Sequence, residues 1–202
     1  NDIVSVIGAG GKTSLIFRLA AEARQRGFKT LVTTTTHMLI PRPEQYDGLD
    51  LSGALFSETA PSLPGIYVGG AAAGEQEKMR GASPCCLENT LKRFDLVLIE
   101  ADGAAGKALK GWKESEPVIP RLTTKTIGVV DIQTIGCPIS PSLIHRLDIF
   151  LKLTGTIEKE YLTVEHLCRI ISSEKGLFSK SQGEVIIFIN KLESDTDRTH
   201  AA

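Results

Sequence analysis

Residues 3–15 read Ile3-Val4-Ser5-Val6-Ile7-Gly8-Ala9-Gly10-Gly11-Lys12-Thr13-Ser14-Leu15, and this stretch decides the fold. The apolar run from Ile3 to Ile7 is short and rich in β-branched residues. It is closed by a glycine cluster that a strand interior does not tolerate, so it reads as a buried strand. A helix follows. Leu15, Ile16, Leu19, Ala20 and Ala23 recur at helical spacing, Arg18, Glu22 and Arg26 fall elsewhere on the wheel, and Gly27 is placed to end it. Thr30-Leu31-Val32-Thr33 is β-rich and starts directly afterwards. A right-handed βαβ crossover, and with it a parallel sheet, is the economical assembly.

Outward from this unit, Asp95-Leu96-Val97-Leu98-Ile99-Glu100 is the clearest interior strand, apolar through its middle and ending in acid. Residues 126–131 and 185–189 complete a set of about five core strands, and Ile66-Tyr67-Val68 is a further candidate. Helices are expected over 83–93, near 141–151 and over 163–172, whereas 41–64 reads as loop with short elements. The fold class expected is α/β, a mostly parallel sheet of about five or more strands flanked by helices, in one domain over residues 1–202. The sequence begins without methionine and stops soon after a strand, so some terminal residues are expected to lie outside it.

Composition narrows the function classes. With 42% hydrophobic and 23% charged residues the chain can bury a core, which excludes disorder and coiled coil. The balance of 23 basic against 24 acidic residues argues against a nucleic-acid or membrane surface as the main partner. No apolar run reaches the roughly 18 to 20 residues of a membrane span, and no signal peptide is recognisable, so a soluble cytoplasmic protein is expected. Cys85 and Cys86 are adjacent, Cys137 and Cys168 are isolated, and no CxxC or zinc-like spacing occurs. Reduced, inert thiols are the ordinary reading. A soft-metal or chalcogen site at Cys85 and Cys86 is the alternative.

A glycine-rich turn between strand and helix lets backbone N–H groups point inward, and the positive helix N-terminus then favours a polyphosphate. Gly8, Ala9, Gly10 and Gly11 form that turn. Lys12 would reach the terminal phosphates, Thr13 would hold Mg²⁺, and Ser14 completes the segment. The pattern G-x-x-x-x-G-K-[ST] asks for glycine six residues before the lysine, where Val6 stands, so a tighter or altered loop is expected. A glycine turn closing an ordinary βα unit is the alternative.

Glu100-Ala101-Asp102-Gly103 puts two carboxylates at a strand end, where one can hold Mg²⁺ and the other can orient a nucleophile or complete the metal shell. Asp102 is the preferred metal carboxylate and Glu100 the candidate for the attacking water; solvated acids are the ordinary alternative. Thr33-Thr34-Thr35-Thr36-His37 ends the second strand, the edge where ligands collect in parallel sheets. Thr35 is the candidate metal-facing hydroxyl, although threonine is also simply a good strand residue. His37 could move a proton, but a lone histidine is more often structural.

Asn190-Lys191-Leu192-Glu193 follows the last strand and resembles the N-K-x-D guanine-reading motif with glutamate in place of aspartate. These residues are candidates for base contact, with ATP and GTP both open. The small-residue loop Gly103-Ala104-Ala105-Gly106-Lys107 leads through Lys110 to Glu116-Pro117-Val118-Ile119-Pro120 and could face a substrate. Lys107 and Lys110 could meet an anion there, solvated lysines being the default.

The ordered set of Gly8-Ala9-Gly10-Gly11-Lys12-Thr13, Thr33-Thr34-Thr35-Thr36-His37, Glu100-Ala101-Asp102-Gly103, Glu116-Pro117-Val118-Ile119-Pro120 and Asn190-Lys191 resembles the YqeC family, accessory proteins of selenium-dependent molybdenum hydroxylases. The resemblance spans nearly the whole chain. It implies a P-loop NTPase-like fold related to metallocentre maturation factors, Mg²⁺ with ATP or GTP as ligands, and a molybdenum hydroxylase or a cofactor-modifying enzyme as partner. Lys12, Glu100 and Asp102 would then be the catalytic residues. The leading expectation is an NTPase or nucleotide switch of low intrinsic activity. A small-molecule phosphoryl transferase or ligase and a non-catalytic nucleotide-binding scaffold are the alternatives.

Overall fold

The computed structural model describes residues 2–58, 61–74, 77–90 and 93–201. Among the described residues, twelve strands and five α-helices follow in chain order: β1 (Asp2–Gly8), α1 (Lys12–Gln25), β2 (Lys29–Thr34), β3 (His37–Leu39), β4 (Gly48–Asp50), β5 (Gly65–Gly69), β6 (Ala71–Ala72) and β7 (Lys78–Arg80) come first. After them come α2 (Pro84–Thr90), β8 (Leu96–Glu100), β9 (Leu109–Lys110), β10 (Lys125–Asp131), β11 (Ile144–His145), α3 (Leu147–Thr154), α4 (Val164–Ser172), β12 (Glu184–Asn190) and α5 (Asp195–Ala201). Seven strands form one sheet in the order β12-β10-β1-β8-β2-β5-β4, and every pairing in it is parallel. The protein is α/β, with a parallel central sheet flanked by helices, consistent with a P-loop NTPase-like fold.

Strand alternation sorts the side chains into two cores. Val4, Val6, Val32, Leu98 and Val129 turn to one face and meet Ile16 and Ala20 of α1. Ile3, Ile7, Leu31, Val97, Ile99 and Val130 turn to the other and meet Trp112, Phe150, Leu167 and Ile170. Burial of a side chain such as Ile16 contributes roughly 2–3 kcal/mol, so the helix is held by its one apolar stripe. From β1 the chain runs to β2 and returns to β8 between them, then β10 and β12 add on the opposite side of β1. This reversal opens a crevice at the carboxyl ends of the strands, the place where open α/β sheets take their ligands.

The stretch 41–64, expected as loop with short elements, does hold two among its described residues, a short 3-10 turn over Pro43–Gln45 and the edge strand β4. Other elements differ from the expected ones. The helix expected near 141–151 starts only at Leu147, because Ile144–His145 pairs with Leu109–Lys110 as a separate two-stranded sheet and Arg146 takes a left-handed conformation with φ 57°. A third sheet, β3-β7-β6, covers the end of β2. Cys85 and Cys86 fall in α2, and the soft-metal alternative for their side chains lies outside the described residues. Among the described residues no helix is long and apolar enough to cross a membrane.

Candidate functional site

The turn between β1 and α1 is shaped by close approaches that exclude a side chain. Gly8, Gly10 and Gly11 have φ of 97°, 76° and 132°. A Cβ at Gly10 would stand 2.4 Å from Cβ of Asp131, and one at Gly11 would stand 2.2 Å from Nδ2 of Asn190. Val6, which stands where the usual pattern has glycine, is fully buried in β1, so the loop starts at Gly8 and is short. Helix α1 has no side-chain cap and no acid in its first turn, which leaves its first N–H groups facing the crevice.

A cavity of about 1100 Å³ opens in front of this loop. Gly10, Gly11, Lys12, Thr13 and Ser14 form one side of it, with Glu100, Asn190 and Lys191 beside them. Thr36 and His37 border it from the end of β2, and the turn 103–108 closes it together with Glu116, His145 and Arg146. Most of the residues singled out in the sequence are therefore brought together, but Gly8, Ala9, Thr35, Asp102 and Glu193 do not line the cavity.

Thr13 donates from its hydroxyl to Oε2 of Glu100 at 2.7 Å. Burial pushes the Glu100 carboxyl above its ordinary value, against the pull of Lys12 and the Thr13 hydrogen bond, and the nearby Asp102 adds to the rise. A desolvated carboxylate next to a hydroxyl is a hard-oxygen pair that a small divalent cation would relieve. Among the described residues there is no group of three or more His, Cys, Asp or Glu side chains suited to holding a metal. The donor set present fits Mg²⁺, which binds through one or two carboxylates plus phosphate and water oxygens.

Asp102 has a different environment. It is fully buried, and its Oδ2 accepts from the Gly8 N–H at 3.1 Å, from Lys110 Nζ at 3.1 Å and from Trp112 Nε1 at 3.0 Å. Lys12 Nζ lies 3.2 Å from its Oδ1 and donates to the Gly8 carbonyl at 2.8 Å. Asp102 thus anchors the loop and two lysines. Lys110, read as a solvated loop lysine, is 0% exposed and also bonds Glu116 Oε2 at 2.9 Å, with its ammonium 5.7 Å from the Trp112 ring. Arg146 clasps Glu116 with both Nη atoms. Burial opposes ionisation of Glu116, but the hydrogen bonds from Arg146 and Lys110 prevail and bring its carboxyl down to about 2.

The hydroxyl of Thr35 donates to the Val118 carbonyl at 2.7 Å, away from the cavity, while Thr34 donates to the Glu100 carbonyl at 2.8 Å and fixes the strand that carries that acid. Asn190 Nδ2 donates to the Gly10 carbonyl at 2.8 Å, and Lys191 Nζ pairs with Asp131 Oδ2 at 2.5 Å. Glu193 is exposed, and its backbone N–H donates to Asp197. Trp112, Asp131, His145 and Arg146 were not legible as site residues. The one signal available for Trp112 was that the chain's single tryptophan stands two residues from Lys110 in an otherwise small and polar loop.

Comparison with known proteins bears on the same residues. The YqeC protein family matches residues 4–148, which include the loop, Thr13, Glu100, Asp102, Glu116 and Arg146. The chain is 33% identical over 194 residues to the uncharacterized protein YqeC of Escherichia coli (strain K12), covering 94% of this chain and 76% of that protein. No solved structure matches. With the family match extending over more than half of the chain and the relative aligned over nearly all of it, the protein belongs to the YqeC family.

Proposed function

We propose that the protein binds a Mg²⁺–nucleoside triphosphate, ATP or GTP, at the loop Gly8–Ser14 and acts as an NTPase or nucleotide switch of low intrinsic activity. The observation that carries this reading is the juxtaposition of Lys12, Thr13 and Glu100 around an uncapped helix N-terminus at the carboxyl edge of a parallel sheet. The backbone N–H groups of Gly10 to Ser14 would cradle the β- and γ-phosphates. Lys12 would exchange the Gly8 carbonyl for a phosphate oxygen, while Asp102 keeps its charge balanced through Lys110. Glu100, rather than the buried Asp102, would hold the metal together with Thr13, and Mg²⁺ would neutralise the charge that develops on the phosphates.

On the family resemblance we further propose that it serves a selenium-dependent molybdenum hydroxylase, as a maturation factor for its cofactor, in the cytoplasm. Turnover would rise when a partner completes the site, because catalysis in this class is positioning and charge stabilisation. Calorimetry with non-hydrolysable ATP and GTP analogues, with and without Mg²⁺, tests the reading. Saturable binding that needs Mg²⁺ and falls roughly 100-fold in Lys12→Ala is expected, as suits the loss of a charge-assisted phosphate contact. Absence of binding to the folded chain overturns it.

A further inference from the structure

The cavity extends past the loop Gly8–Ser14 to the turn 103–108, Glu116, His145 and Arg146. At about 1100 Å³ it stands at the top of the range of roughly 300–1,000 Å³ that holds a single drug-sized ligand. Five basic side chains, Lys12, Lys78, Lys107, Arg146 and Lys191, border it against two carboxylates, Glu100 and Glu116, in a chain whose net charge is −1. Lys12, Arg146 and Lys191 are paired with Asp102, Glu116 and Asp131, whereas Lys107 stands on the wall formed by the turn 103–108, which packs against Gly10 of the loop, and among the described residues its ammonium reaches a backbone carbonyl and no carboxylate.

That wall is built by two backbone segments in costly conformations. Ala105 and Gly106 have φ of 50° and 72°, and the Lys107 N–H donates to the Ala104 carbonyl at 3.0 Å, which closes a tight turn that carries Lys107 at its end. A non-glycine residue with φ near +50° costs of order 1–2 kcal/mol, and Arg146 has the same strain at φ 57°. Lys107 reaches the Pro141 carbonyl, which ties the turn to the segment leading into His145 and Arg146. Arg146 spends one edge of its guanidinium on Glu116 and keeps Nε–H and one Nη2–H. Among the described residues the imidazole of His145 makes no hydrogen bond, although it is partly buried and borders the cavity. The ring, partly exposed to the cavity beside Arg146 and Lys107, has an N–H to offer a ligand there.

We propose that Lys107, His145 and Arg146 form a second anion subsite that takes a phosphate-bearing small molecule while the nucleotide occupies the loop Gly8–Ser14. It rests on the nucleotide reading for the identity of the first ligand, and it deepens that reading by giving the cavity a substrate of stated class. Three separate donors suit the three terminal oxygens of a phosphate monoester better than the two of a carboxylate. The Lys107 ammonium brings the charge not already met by a carboxylate, Arg146, whose charge Glu116 meets, adds hydrogen bonds from Nε–H and the remaining Nη2–H, and the imidazole N–H supplies the third contact.

The test is titration of inorganic phosphate into the chain saturated with Mg²⁺ and a non-hydrolysable nucleotide, followed by calorimetry and by the ring resonances of His145 in nuclear magnetic resonance. Phosphate is expected to bind the nucleotide-filled protein and to move the His145 resonances. Lys107→Gln with His145→Gln should weaken phosphate about tenfold or more while nucleotide affinity stays within about twofold. No phosphate binding to the filled protein, or undiminished binding in the double variant, overturns the subsite. If the wild-type chain takes no nucleotide, the nucleotide reading is what fails; phosphate titrated into the unfilled chain, read at the His145 resonances and compared by calorimetry with the Lys107→Gln, His145→Gln variant, then tests the subsite, with the same two outcomes.

Discussion

Lys12 Nζ lies 3.2 Å from Oδ1 of Asp102, with the two side chains 5% and 0% exposed. Through this pair the glycine loop Gly8–Ser14 is tied to the segment after β8, and the same carboxylate holds Lys110, Trp112 and the Gly8 N–H. A lysine leaving for a ligand phosphate would not strand the acid, because Lys110 remains on it. Asp102 is thus arranged to position the lysine and the loop.

Asp102→Ala is expected to lower stability by about 3–5 kcal/mol, because it leaves the buried Lys12 ammonium without its counter-charge and the buried Lys110 with Glu116 alone. For a chain of this size that corresponds to a fall of roughly 10 °C in Tm. Asp102→Asn keeps the size and one acceptor and should cost less. Thermal denaturation of the two variants checks the ordering; a stable Asp102→Ala chain that has lost only its Mg²⁺ response would make Asp102 a metal ligand.

Glu100→Gln is expected to do the opposite. The raised carboxyl of Glu100 means that the folded state favours its protonated form, a contribution present at acid pH and lost as pH rises through the folded value, so at neutral pH the charge weighs against the fold. Glutamine should raise Tm by about 2–4 °C, equivalent to ~1 kcal/mol, while abolishing the Mg²⁺ dependence of nucleotide binding. Calorimetry and a melting curve on one preparation read both. A less stable variant with intact Mg²⁺ dependence would assign Glu100 to structure alone.

Glu116 sets a pH dependence with the opposite sign. Its carboxyl is held at about 2 against an ordinary 4.5, so its pairing with Arg146 and Lys110 stabilises the fold above about pH 4.5 and is lost as pH falls toward 2. With solvent screening this amounts to about 2 kcal/mol. Urea melts between pH 6 and about 2.5 should show a steeper loss in wild type than in Glu116→Gln, whose curve should be flatter in that window. Parallel curves would remove Glu116 as an acid-labile clasp.

The parts legible in the sequence are those fixed by local rules. The strand, glycine turn and helix from Asp2 to Gln25 were readable because apolar period and glycine placement act over neighbouring residues. β8 and β10 were readable because interior parallel strands are continuously apolar. The roles of Glu100 and Asp102 were not, since two acids two residues apart look alike until long-range partners appear: Thr13 meets one, and Lys110 and Trp112 meet the other. Lys110 looked solvated because its burial depends on the pairing of β9 with β11, 35 residues later in the chain, as in Lys110 with His145. Thr35 was placed by proximity to a strand end, and a single hydrogen bond to Val118 turns it away.

Asn190 offers the sharpest separation between two readings of one motif. In the guanine-reading pattern its amide would face the base, whereas here Nδ2 donates to the Gly10 carbonyl and stands where any side chain on Gly11 would collide with it. A residue that holds the loop in shape should act on the phosphates, which ATP and GTP share. Asn190→Ala is therefore expected to weaken binding of both analogues by a similar factor, about fivefold to tenfold for one lost hydrogen bond of ~1–1.5 kcal/mol. It should leave their ratio unchanged. Parallel titrations of the two analogues decide the matter: a loss confined to GTP would mean that Asn190 reads the base and that its bond to Gly10 is secondary.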